Sequence, residues 1–158
     1  MTTLEQAIEQ LSSARAELLG AIDGLDDAAL DRKGLVGGWS AKNVLAHIAA
    51  WEAWVILALP ARLAERATPP DLAARLADED AANAEEVAER EELTPDEQIM
   101  ELERNRAELL AYLRTLDQAT LERRQPWQGW DGTIPEYLLA ALRDHEAEHA
   151  AALRAARA

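Results

Sequence analysis

His145 and His149 stand four residues apart near the end of the chain, and the third and last histidine, His47, lies about a hundred residues earlier. On a helix, residues i and i+4 share a face with Cβ atoms roughly 5–6 Å apart. Two imidazoles so placed can converge on one ion at about 2.0–2.1 Å from each nitrogen, and a third histidine from another helix would complete a three-nitrogen set. Such a set leaves coordination positions open, as catalytic sites do and closed structural sites do not. Imidazole suits several divalent ions; zinc and nickel come first here, with iron and copper left open.

The segment His145-Glu146-Ala147-Glu148-His149 also matches H-E-x-x-H, the zinc-protease helix in which Glu146 would be the general base. The nine residues after His149 hold no third ligand, and no strand is expected that could hold an extended peptide. The match is therefore discounted. Side chains that could assist a metal are few. Glu52, five residues after His47, is a candidate base. Arg106 is a candidate for orienting an anionic substrate, or an arginine snorkelling at a bundle edge. Trp39, Trp51, Trp127 and Trp130 could line a pocket mouth or simply pack.

The elements that must hold these residues read as helices with capped starts. Thr3 and Gln6 open a first helix running to about Ile22, with Leu4, Ile8, Leu11, Leu18 and Ile22 on its stripe and Gly24 ending it. A loop follows from about Leu25 to Trp39. Ser40 caps a second helix with the stripe Val44, Ile48, Trp51, Val55 and Leu59, expected to end or kink at Pro60. Thr68-Pro69-Pro70-Asp71 signals another start. The acidic segment it opens has Leu72, Leu76 and Val87 as sparse anchors. Thr94-Pro95-Asp96-Glu97 caps a third long helix with Ile99, Leu102, Leu109, Leu113 and Leu116 on its stripe and Arg106 among them. After a loop with Trp127 and Trp130, Thr133 and Glu136 cap the last helix. Its stripe reads Ile134, Leu138, Leu142, His145, His149, Leu153, so two histidines take core positions. No stretch alternates with period two, and no strands are expected. The reading is all-α: one domain over residues 1–158, a four-helix bundle with an extra acidic helical segment between the second and third long helices.

Composition narrows the function. There is no cysteine, so thiol chemistry would need an external thiol. The net charge is −14, and residues 71–103 alone hold 13 Asp/Glu against two arginines, Arg75 and Arg90. Without a basic cluster to displace phosphate counterions, nucleic acid is not expected as a partner. The apolar run Ala53–Ala61 is short for a bilayer, and Met1-Thr2-Thr3-Leu4-Glu5 lacks the features of a signal peptide, so a cytoplasmic protein without a membrane partner is expected. Large apolar residues off the main stripes (Trp54, Leu57, Leu110 and Leu139) suggest a homodimer through helix faces, or contacts with the acidic segment.

The run Gly38-Trp39-Ser40-x-Lys42-x-Val44-Leu45-Ala46-His47-Ile48-Ala49-x-Trp51-Glu52, with Asp144-His145-x-x-x-His149 near the end, resembles the helix motifs of the DinB/YfiT-like superfamily. The segment Asp80-Ala81-Ala82-Asn83 through the third helix looks most like its ClbS/DfsB branch. The resemblance covers essentially the whole chain. It implies an up-down-down-up four-helix bundle, frequent dimerisation, and a divalent ion held by His47, His145 and His149. Members include metal-dependent thiol transferases, the mycothiol-using maleylpyruvate isomerases, and proteins that protect against reactive small molecules. Together with the residues, it leads to the expectation of a metal-dependent small-molecule transferase or hydrolase, using water or an external low-molecular-weight thiol against an electrophile. The alternative is a non-catalytic ligand-binding or sequestering bundle with a structural or vestigial metal.

Overall fold

The computed structural model describes residues 1–64, 70–127 and 129–158, with the side chains of 70–72 left aside. In chain order the elements are α1 (Leu4–Ile22), α2 (Asp27–Leu30), α3 (Ala41–Leu63), α4 (Pro70–Ala77), α5 (Glu79–Glu89), α6 (Pro95–Leu113), α7 (Gln118–Glu122), β1 (Gln125–Trp127), β2 (Trp130–Gly132), α8 (Ile134–Leu138), a π-helical turn Leu139–Arg143, and α9 (Asp144–Arg157). They pack as two compact units, one of Met1–Gly24 with Leu109–Ala158, the other of Leu25–Glu108.

Local sequence explains most of the boundaries. Thr3, Ser40, Thr94 and Thr133 each accept from the backbone amide three residues on, while the side chain at that third position accepts from the cap's own amide. These reciprocal boxes satisfy amides that a helix start otherwise leaves bare. Gly24, at φ 79°, takes the left-handed conformation that ends α1. Pro60 does not end α3, which runs on to Leu63. The proline removes a single bond near the end of the helix, and burial of that helix outweighs the loss. The helix start expected at Thr68-Pro69 lies outside the described residues, as does the side chain of Leu72.

In the unit of residues 25–108, α3 and α6 run parallel. The order of their contacts shows it: Lys42 Nζ donates to the carbonyls of Glu91 and Leu93 at 2.8 and 2.9 Å, Asn105 Nδ2 to the carbonyl of Ala49 at 3.0 Å, and Arg106 Nε to Glu52 Oε1 at 2.6 Å. Ala41 to Ala50 are buried without a break, so the start of α3 is a core element on every side. That accounts for its hydropathy. Ala41–Leu63 is long and apolar enough to cross a membrane, with a mean hydropathy of 1.6, but 61% of that window is buried inside the fold. The expectation from the Ala53–Ala61 run counted only part of this helix.

The acidic segment is held more by ions than by the apolar anchors expected of it. Val87 is buried, but Leu76 is exposed. Buried Glu86 receives Trp54 Nε1 at 3.3 Å, Arg90 Nη1 at 2.6 Å and the guanidinium of Arg75, and Arg90 continues to Glu101 at 2.9 Å. Trp54 is thus covered by α5, where it also packs on Ala82. Leu139 is likewise buried within the chain, whereas Leu57 is exposed.

In the other unit, α1 and α9 run parallel, bound by a ladder of arginines. Arg143 Nη1 donates to Gln10 Oε1 at 2.5 Å, Arg15 Nη2 to Glu146 Oε1 at 2.6 Å, Arg154 Nη1 to Glu17 Oε2 at 2.7 Å, and Arg157 Nη1 to the Ala21 carbonyl at 2.6 Å. Each unit thus holds one parallel pair of long helices. The expectation of no strands is corrected by an antiparallel hairpin pairing Gln125 with Gly132 and Trp127 with Trp130. Its signal was Gln128-Gly129 between two tryptophans, with Gly129 at φ 77°. Strands of three residues are too short to show alternation.

Candidate metal centre

His47 sits two turns into α3, behind the Ser40 cap. A tight turn bridging Val36 and Trp39, with Gly37 at φ 60°, brings Trp39 up to that cap. The Trp39 indole then lies against the His47 imidazole, with ring centroids 5.3 Å apart and planes tilted by 43°. His47 is buried, 8% exposed. Trp39 thus meets a candidate ligand. Trp51 packs edge-on against Trp54, and Trp127 and Trp130 both pack against Tyr137.

His145 and His149 occupy successive turns of α9 and are half-buried. Their Nε2 atoms are 3.0 Å apart and their rings nearly perpendicular, at 88°. Two nitrogens each about 2.1 Å from a shared ion, at right angles, are separated by about 3.0 Å, so this pair has the spacing of adjacent ligands. His47, His145 and His149 each offer one ring nitrogen, and these three atoms lie within 4.8 Å of one another, a group that could hold a metal ion. The donor set fits a borderline divalent cation, since all three donors are neutral imidazole nitrogens when deprotonated.

Burial pushes the His149 imidazole below its usual value near 6.5, with the Glu148 carboxylate opposing the shift. His149 is therefore neutral and available to an ion at neutral pH. Proton competition at His149 is expected to set in below about pH 6.5, so metal affinity falls on acidification. The sign for the metal-free chain is the same. A folded-state value below the unfolded one means the unfolded chain takes up the proton first, so this histidine's contribution to stability is present above about pH 6.5 and lost below it. Calorimetric metal titrations at several pH values check this; affinity that rose on acidification would contradict it.

The two candidate helpers are each other's partners. Glu52 is 1% exposed and Arg106 8%, and they form a buried ion pair joining α3 to α6. Arg106 therefore does not snorkel at an edge. Glu52 Oε1 accepts from the Arg106 guanidinium and is engaged in that pair. Nor is Glu146 placed as a protease base: it is 1% exposed and gives its Oε1 to Arg15 of α1. Sequence reasoning missed both buried pairs. The signal for the first was Arg106 at a stripe position, which fits several pairings until the helices are docked; Glu146 stood off the stripe and gave none.

The sequence matches the model of the DinB superfamily over residues 10–153. The chain belongs to the DinB superfamily. No curated protein matches its sequence. Among solved structures, an uncharacterised protein from Escherichia coli UTI89 is similar at a TM-score of 0.77 and 13% identity, over 98% of this chain and 92% of the other. The colibactin self-resistance protein ClbS, crystallised with double-stranded DNA, is similar at 0.81 and 13% identity, over 99% and 96%. A mycothiol-dependent maleylpyruvate isomerase is similar at 0.71 and 18% identity, over 96% of this chain but 61% of that one. These likenesses show the shared all-α DinB-like fold.

The ClbS complex corrects one expectation. A protein of this fold has been crystallised with double-stranded DNA, so nucleic acid is not excluded as a partner. A net charge sums over a whole surface, whereas phosphate contact is decided by the local field. Here the acidity is uneven. Residues 25–108 carry 19 acidic and 9 basic groups, and the other unit carries 11 and 7.

Proposed function

We propose that His47, His145 and His149 hold one divalent ion and that this DinB-superfamily protein uses it in a transferase or hydrolase reaction on small electrophilic molecules. The convergence of three ring nitrogens within 4.8 Å supports this reading most directly. When bound, such an ion supplies Lewis acidity that activates water or an external thiol at neutral pH. The chain's own residues support the imidazoles: Trp39 packs on His47, and burial disfavours protonation of His149. The chain has no cysteine, so a thiol must come as a cosubstrate. The likeness to a mycothiol-dependent isomerase fits a thiol of low molecular weight.

A second reading, sequestration of a reactive ligand without turnover, is favoured by the likeness to a self-resistance protein. Duplex DNA is open as a partner on the same likeness. The metal-loaded protein, an activated aryl halide and a low-molecular-weight thiol separate the two readings. Many equivalents of thioether per chain, lost on chelation, support catalysis. Consumption that stops at one equivalent supports sequestration and rejects the catalytic reading. A gel-shift titration with duplex DNA at low salt reports on the third partner class.

A further inference from the structure

The last helix does not follow the stripe that its sequence suggests. Each residue of an α-helix advances by about 100°, so in an unbroken helix Ile134, Leu138, His145 and His149 would fall within about 60° of one line. Glu146 and Ala150 would stand about 80–120° from Leu138. The structure reverses these roles. Glu146, Ala150 and Leu153 are buried, at 1%, 3% and 0% exposure, in line with Ile134 and Leu138 at 0%. His145 and His149 are half-buried on the flank.

The cause is the turn Leu139–Arg143. It is π-helical, and the Asp144 amide donates to the carbonyl of Leu139, five residues back instead of four. One extra residue in a turn sets everything after it back by about 100°. Such turns cost backbone regularity and are frequent at functional sites. Something must hold the shifted register, and buried Arg15 does so. Its Nη2 and Nε donate to Glu146 Oε1 at 2.6 and 3.1 Å. Glu146 reaches Arg15 because the extra residue has turned it onto the core line.

We propose that the π turn at Leu139–Arg143, locked by the Arg15–Glu146 pair, is the positioning device that lifts His145 and His149 out of the core line and presents them to the metal. The metal part of this inference rests on the function proposed above. It gives Glu146 a role that the H-E-x-x-H match misassigns: a positioning residue acting through Arg15.

The test is deletion of Ala140, an exposed residue of the turn. Removing it restores an even α-helix and rotates the histidines back toward the core. Three readouts apply: cooperative unfolding by far-UV circular dichroism, the Arg15→Met/Glu146→Gln coupling from a double-mutant cycle, and Co(II) titration by absorption. The shortened chain is expected to remain helical, to lose the coupling, and to bind Co(II) at least about 100-fold more weakly. A second variant inserts one alanine between Arg143 and Asp144 of the shortened chain. It restores the residue count ahead of the histidines and is expected to recover both signals. Coupling and Co(II) affinity unchanged by the deletion would overturn the proposal, as would a folded compensated variant that recovers neither. If the parent chain binds no Co(II) but its coupling vanishes on deletion, the metal reading falls and the register device stands.

Discussion

Replacing His47 with alanine is expected to weaken binding of one divalent ion per chain by at least about 100-fold while leaving the helical fold intact. The size follows from the ligand count. Loss of a partner behind a ligand already costs about 10–100-fold, and loss of the ligand itself costs more. The fold survives because His47 is flanked on α3 by Val44, Leu45, Ile48 and Ala49, all at 1% exposure or less, which carry the packing of that turn. The variant also leaves the His145–His149 pair in place, so it separates a three-ligand site from a two-ligand one. Isothermal titration of tag-free protein with zinc or nickel checks it. Retention of parent affinity would remove His47 from the site and leave a two-histidine surface chelate.

The second large effect concerns Glu52. Replacing it with alanine removes one carboxylate from a buried ion pair and is expected to destabilise the chain by up to about 3–5 kcal/mol, a fall in Tm on the order of 10 °C. The double variant Glu52→Leu/Arg106→Leu should recover much of that loss, because apolar replacement of a whole buried pair is often neutral. Metal affinity should be unchanged in the double variant. Urea unfolding and metal titration on the two variants distinguish a structural pair from a catalytic base. A Glu52→Ala chain of parent stability that lost turnover would reverse the assignment.

The long helices were legible in the sequence because apolar spacing and caps are local signals, whereas α2 and α7, of four and five residues, fell in expected loops because they are too short to show a period. Thr3, Ser40, Thr94 and Thr133 mark the helix starts in the sequence, and all four cap as expected. The i, i+4 spacing of His145 and His149 was legible and the family resemblance named the three histidines as a set, but the core positions read for that pair were wrong, since both lie half-buried on the flank. What the sequence hid is what depends on docking. Glu52 with Arg106, Glu146 with Arg15, and Glu86 with Trp54, Arg75 and Arg90 are all long-range choices among many charged residues. The π turn was hidden because the histidine stripe looked complete as an α-helix; only the burial of Glu146 and Ala150 shows the extra residue. The DNA exclusion failed for a different reason, that a summed charge says nothing of a local surface.

The central claim is that His47, His145 and His149 together bind one ion. X-ray absorption at the metal edge of protein loaded with one equivalent of zinc or nickel tests it most directly, since imidazole gives a distinctive outer-shell scattering pattern. Three imidazole nitrogens at about 2.0–2.1 Å are expected, with the remaining positions filled by oxygen. That count should fall to two in each of His47→Ala, His145→Ala and His149→Ala. A parent spectrum with fewer than three imidazoles, or one that none of the three substitutions changes, would contradict it.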